Sequence, residues 1–281
     1  MKNIISFDGF ADVANNLINK LSHAIGWFFT RETPEKQAIS TYIEEIKNSN
    51  KSPLIKAALI SEAKKAIKEY RNQNNIVDYA IQSLSPESQP ENIDEDWLSL
   101  FMDKARLISN PEFQIVWGRI LAGECDTPGS TPKSLLHTLE LLDKKTAEKF
   151  MAVASVSVWY LENDKKVWMP VILGNSIDYY KHIGITYDDI WELTSLGLTN
   201  DDFGFASEFA VEFDNVNKIH YHDQVYTIDS NCTISFGNVL FTEAGQALCS
   251  SVNTRKIDNF FDGYCVPHFE KTKKEKNDKS V

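Results

Sequence analysis

The chain lacks the patterns on which several large function classes rest. Its four cysteines, Cys125, Cys232, Cys249 and Cys265, are widely spaced and form no CxxC pair. That predicts reduced thiols in a cytoplasmic protein rather than a disulfide framework. No stretch approaches the ~18 consecutive apolar residues of a spanning helix. Residues Met1 to Asp8 carry one lysine and no cleavable apolar run, so no secretory leader is expected. Positive charge is also scarce: Asp and Glu outnumber Lys and Arg by 40 to 29, for a net charge of -11. A generic DNA binder needs cations to displace condensed counterions, so nucleic acid is not expected as the main partner, a local basic patch aside. The GxGxxG, Walker-type and GxSxG signatures are absent, which leaves ATP-driven and serine-hydrolase chemistry without a motif. No cofactor is expected.

What is present reads as an α+β protein of two packed units, since 281 residues is long for one core. Phe10, Val13, Leu17, Leu21, Ile25 and Phe28 recur at steps of three and four, a helical stripe over Asp8 to Phe29. Pro34 opens a second helix to about Lys47. Ser52-Pro53 starts a third, to Arg71, with another over Ile76 to Leu84. Further helices are expected after Asp94, carrying Trp97, Leu98, Phe101 and Leu107, and after Asn110-Pro111, burying Phe113, Val116, Trp117, Ile120 and Leu121. Two more follow, after Thr131-Pro132 and after Asp143.

Beyond Ser157 the composition turns β-like. A hairpin over Val158 to Leu173 turns at Asn163-Asp164, and Ser176 to His182 forms a short helix. Thr186 and Asp189 form a capping box for a helix ending at Gly197. Phe203 to Phe213, Lys218 to Ile228 and Thr233 to Phe241 alternate as strands. Helices over Thr242 to Val252 and Ile257 to Tyr264 follow. The expected division is a helical domain over 1–156, a smaller mixed α/β, winged-helix-like module over 157–268, and a disordered basic tail over 269–281.

The run Ser109-Asn-Pro-Glu-Phe-Gln-Ile-Val-Trp-Gly-Arg-Ile-Leu-Ala-Gly-Glu124, with Pro128-Gly-Ser130 and Leu141-Leu-Asp-Lys-Lys-Thr-Ala147, resembles a bacterial family of unknown function. That family shows a tryptophan, then Leu-Ala-Gly-Glu, Pro-Gly and Leu-Asp-Lys. Asp94-Glu-Asp-Trp97 and Gly237-Asn-Val-Leu-Phe-Thr-Glu-Ala-Gly245 extend the match. Leu17 to Gly26 is similar to the opening of that family and of abortive-infection alpha proteins. The resemblance implies bacterial origin and a phage-defence setting, and it supplies no catalytic residue.

Several constellations invite chemistry. Glu124 and Asp126 flank Cys125, and with His137 they are the candidates for a metal-dependent hydrolase or nuclease. The structural alternative makes Glu124 an anchor for the Pro128-Gly129 turn, bonded to its amides or paired with Arg106, Arg119 or Lys133. His220 and His222 fall on one face of a strand as candidate zinc ligands, though a tetrahedral site needs two more. The helix after Thr186 carries Asp188, Asp189 and Glu192 with no Lys or Arg, a face that repels phosphate.

Phe10, Leu17, Leu21, Ile25, Trp27 and Phe28 form the candidate interaction surface, ending in an aromatic cluster suited to anchor an interface. The preferred reading is a non-enzymatic interaction or sensor protein whose partner is protein, most simply a second copy of itself. The rivals are the hydrolase or nuclease and a membrane-surface effector acting through the first helix. Lys20 is that helix's only lysine, which gives membrane attraction little electrostatic help.

Overall fold

The computed structural model describes residues 7–29, 35–203, 208–214, 216–228 and 231–275. The chain divides into two compact units, 1–136 and 137–281.

The first unit is helical: α1 (Phe7–Ile25), α2 (Glu35–Asn48), α3 (Pro53–Ser83), α4 (Glu95–Ala105) and α5 (Pro111–Asp126). Their starts follow the sequence signals. Ser52, Asp94 and Asn110 each accept a backbone amide of the helix they open, from Ile55, Trp97 and Glu112. The core gathers Leu17, Leu21, Ile76, Val77, Trp97, Phe101, Trp117 and Leu121. Trp117 is fully enclosed, with its ring 5.1 Å from that of Phe101. Gly118 lets α5 lie directly on α3, because a Cβ there would come within 2.5 Å of Tyr79 Cβ and 2.9 Å of the Ala80 amide nitrogen. Leu107 lies beyond the end of α4 and is exposed, not on its buried face.

Residues 53–83 form one helix rather than two. The polar run Arg71-Asn-Gln-Asn-Asn75 reads as a break, yet its side chains serve the frayed end of α4 instead of ending α3. Asn72 donates to the Arg106 carbonyl at 2.8 Å, and Gln73 to that of Met102 at 2.9 Å. Gln114 of α5 completes the network, donating to Ile108 O at 2.8 Å and Asn72 Oδ1 at 3.3 Å.

The boundary lies at Leu136, inside α6 (Lys133–Leu141), earlier than the expected 156/157. The helix α7 (Lys144–Ser155) belongs with the second unit, because Lys149 pairs with Asp189 and Glu192 and Phe150 packs on Phe241.

The second unit continues with the hairpin β1 (Ser157–Glu162) and β2 (Lys165–Pro170), α8 (Ile177–Tyr180) and α9 (Tyr187–Ser195). Then come β3 (Thr199–Asp201), β4 (Phe209–Phe213), β5 (Asn217–Tyr221), β6 (Gln224–Ile228), β7 (Cys232–Gly237), β8 (Val239–Phe241) and α10 (Glu243–Ser251). A π-helical turn (Phe261–Cys265) leads into α11 (Val266–Thr272), followed by β9 (Lys274–Glu275). The sheets run β2-β1-β5-β6, β3-β8 and β4-β7-β9, with antiparallel pairings. Asn163 and Asp164 both take positive φ, as a tight two-residue hairpin requires.

Three expectations about strands are corrected. Lys218 to Ile228 is a hairpin, because the chain reverses at His222-Asp223 with His222 at φ 51 and no Asn-Gly to announce the turn. Thr233 to Phe241 is two strands. Gly237, at φ 116, lies so close to the Ile172 carbonyl that no side chain fits, and Asn238 then bonds that carbonyl through its N–H at 2.8 Å. Phe203 sits in a turn, and the strand expected from it begins at Phe209, with 204–207 outside the described residues. The start of the expected disordered tail is ordered: Phe269 is buried in α11, and β9 pairs with β7. Residues 276–281 of that tail lie outside the described residues.

Candidate functional site

The Leu-Ala-Gly-Glu segment ends α5, and its last residue is buried. Glu124 accepts the Gly129 amide at 2.6 Å through Oε1 and the Thr131 amide at 2.8 Å through Oε2. Both carboxylate oxygens are thereby committed to the Pro128-Gly129 turn. Burial lifts the Glu124 carboxyl above its ordinary range, while the two amides pull it the other way. Among the described residues Glu124 makes no ion pair: Arg106 pairs with Glu69 and Asp103, Lys133 pairs with Asp94, and Arg119 is not within ion-pair distance of the carboxylate. Asp126 turns to a different loop, accepting Ser85 Oγ at 3.0 Å and also the Ser88 hydroxyl. Cys125 is buried between them, its thiol pushed far up by desolvation, and its carbonyl accepts the Gln89 amide at 2.7 Å. His137 is exposed on α6. The corner closes two loops onto the end of α5.

The histidine pair is separated by the hairpin. His220 stands on β5 with its ring stacked on Trp159 at 4.0 Å and 7°, and Lys166 Nζ lies 4.6 Å from the same indole. Burial, with Lys218 and Lys166 nearby, holds the His220 imidazole below its ordinary range. His222 is in the turn, so the two imidazoles do not share a strand face. Among the described residues no group of three or more His, Cys, Asp and Glu is placed to hold a metal ion.

The α1 stripe is largely covered by its own unit, which corrects the interaction surface. Leu17 and Leu21 are fully enclosed where α1 meets α4 and the turn at 90–92. Trp27 is buried and stacks on Tyr70 at 5.9 Å, while Tyr70 donates its hydroxyl to the Phe28 carbonyl at 2.5 Å. Ile25 is half-buried and Phe28 is exposed; the side chain of Phe10 lies outside the described residues.

Open apolar surface lies instead on α2 and the first half of α3. The buried residues of α3 begin only at Asn72, whereas Leu54 is 80% exposed and Ile55 and Tyr42 are exposed. Between the two helices runs a groove of about 360 Å³, lined by Tyr42, Leu59, Glu62, Ala63, Ala66 and Ile67. Together they form an arm. The sequence carried its signal in Leu54, Ala58 and Ile60, which a helical-period reading assigns to a core.

One cluster has no single-sequence signature because its members come from three segments. Ser235 of β7 donates its hydroxyl to Glu208, and Glu208 Oε2 lies 3.5 Å from Nε2 of His268 on α11. The carboxylate stands between serine and histidine, so the imidazole is not placed to take the serine proton as a hydrolase triad requires. Burial holds His268 below its ordinary range against the pull of Glu208.

A family model described as a protein of unknown function (DUF2806) matches residues 60–264. The chain belongs to this family. No curated protein and no solved structure matches it. The DUF2806 match spans both units and includes the Glu124 corner, the second half of the arm and the Gly237 crossing. Among the described residues no helix is long and apolar enough to cross a membrane.

Proposed function

We propose that this chain is a non-enzymatic interaction or sensor protein of the bacterial cytoplasm, acting by binding protein in the phage-defence setting its resemblance implies. The carrying observation is the arm: two packed helices that leave the apolar side chains Leu54, Ile55 and Tyr42 exposed among the described residues. A helix that is amphipathic yet leaves its apolar residues in water is unfavourable by itself, and a partner that covers them recovers that loss. The Glu124 corner supports the same reading, since both oxygens of its only buried carboxylate already bond backbone amides.

The test is site-specific photo-crosslinking from position 59, in the groove, in cells before and after phage infection. A crosslinked protein band that Leu54→Asp with Ile55→Asp removes, along with any plaque-reducing effect, supports the proposal. Cleavage of nucleic acid by purified protein with a divalent metal, abolished by Asp126→Asn with the fold intact, would replace it with the nuclease reading.

A further inference from the structure

We propose that the arm of one copy docks on the Trp191 face of a second copy, so that the chain assembles head to tail. This rests on the reading of the arm as a partner surface and assigns the partner.

The arm is a basic element in an acidic chain. From Lys47 to Arg71 there are seven Lys and Arg against Glu62 and Glu69, although the chain as a whole carries -11. Lys64, Lys68 and Arg71 are four and three residues apart and so form a ridge along one face of α3. All three are exposed, and none makes an ion pair among the described residues. Lys47 and Lys65, by contrast, pair with Glu44 and Glu69. Ala57 and half-buried Ile60 continue the ridge face toward the helix start, with exposed Leu54 beside it.

The second unit holds the complement. Residues 182–217 contain eight Asp and Glu and no Lys or Arg. Within that stretch α9 presents Trp191, 53% exposed, one turn from exposed Asp188. The indole is pre-positioned, stacked on Tyr187 at 6.0 Å, and Tyr187 is held edge-on by Phe203 at 4.9 Å. Lys149 bridges Asp189 and Glu192 and offsets one negative charge, which leaves exposed Asp188 one turn from the indole, and Asp201 accepts Thr194 Oγ1 of the same helix at 3.2 Å. An exposed tryptophan held by its neighbours within a predominantly acidic segment is the anatomy of an interface anchor. Its natural complement is a helix carrying cations beside small apolar residues, and the arm is such a helix. Opposite fields would steer the encounter and fix its orientation. Because the two surfaces differ, the contact is heterologous and propagates into a ring or a filament.

The experiment uses the full chain and light scattering after gel filtration, at low salt and at about 1 M salt, where screening reaches ~3 Å. The parent is expected to run as a multimer at low salt and to dissociate at high salt. One variant reverses the ridge (Lys64→Glu, Lys68→Glu, Arg71→Glu); another removes the anchor (Asp188→Lys with Trp191→Ala). Each alone should be monomeric with a native circular dichroism spectrum. Mixed, they should form a 1:1 dimer, since each retains one intact half of the contact. Should a reversal perturb folding, Lys64→Gln with Lys68→Gln gives the same monomer without new acid. A parent that stays monomeric, a ridge variant of unchanged mass, or a mixture that fails to pair overturns the head-to-tail contact. In that event, ridge-dependent binding to anionic vesicles or to another protein would leave the arm as a binding surface. Crosslinks from position 59 that ignore the arm substitutions would instead remove the arm reading itself.

Discussion

Trp117 and Glu124 stand two turns apart on α5 and do opposite work, one filling space and the other satisfying backbone. Trp117 has no exposed surface and packs on Phe101 against a helix pair held close by Gly118. Trp117→Ala is expected to cost about 3–5 kcal/mol, as truncation of large enclosed aromatics does, and a denaturant melt checks it. Glu124 binds two amides with two oxygens, so Glu124→Gln keeps an acceptor for only one of them. The unsatisfied N–H should cost about 1–3 kcal/mol. Because burial raises its pKa in the fold, the stability Glu124 contributes through protonation is complete below the ordinary carboxylate range. It is lost as pH rises through the raised value. The gap between parent and Glu124→Gln should therefore narrow as pH rises above the ordinary Glu pKa of about 4.3. A gap that is flat or widens with pH would show that the amides, not burial, govern the group.

At the scale of the element, α3 is two things in one helix. Its second half, with Ile76, Val77 and Ala80, is core; its first half lies beside α2 and meets Trp27 only at its end, through Tyr70. Backbone amides of residues 57–70 should exchange with deuterium faster than those of 76–83, because the former open locally and the latter only with the unit. Asn72 and Gln73 join the halves by bonding the end of α4. Asn72→Ala leaves the Arg106 carbonyl unpaired near the core and should cost about 1–3 kcal/mol, read in the same melt. If it melts with the parent, water replaces that bond and the join is solvent-exposed. The β5–β6 hairpin shows the reverse case. A histidine in the left-handed position at its turn gave the sequence no recognisable turn residue, and the alternation ran on across it.

For the whole molecule, two units with separate cores predict unfolding that is not a single two-state step. Calorimetry should resolve two transitions, with Trp117→Ala lowering one and Phe236→Ala, fully buried in the second unit, lowering the other. A single transition moved by both would mean that the units unfold as one. Charge segregation acts at this scale too: a basic arm and an acidic second unit are invisible in the net charge of -11, which averages them.

The sequence by itself determined where helices start, since Ser52, Asp94, Asn110, Asp143, Thr186 and Thr242 cap their own chain within a few residues. It also determined the first hairpin, whose Asn163-Asp164 turn is local chemistry, and Glu124's service to the turn five residues on. The tertiary structure alone decided matters that depend on distant neighbours. Asn72 continues a helix because α4 ends beside it. Leu17 and Leu21 are core because α4 lies over them, while Leu54, just as apolar, meets water. Hydrophobic periodicity says that a face seeks cover; only packing settles whether the chain supplies that cover or leaves it to a partner.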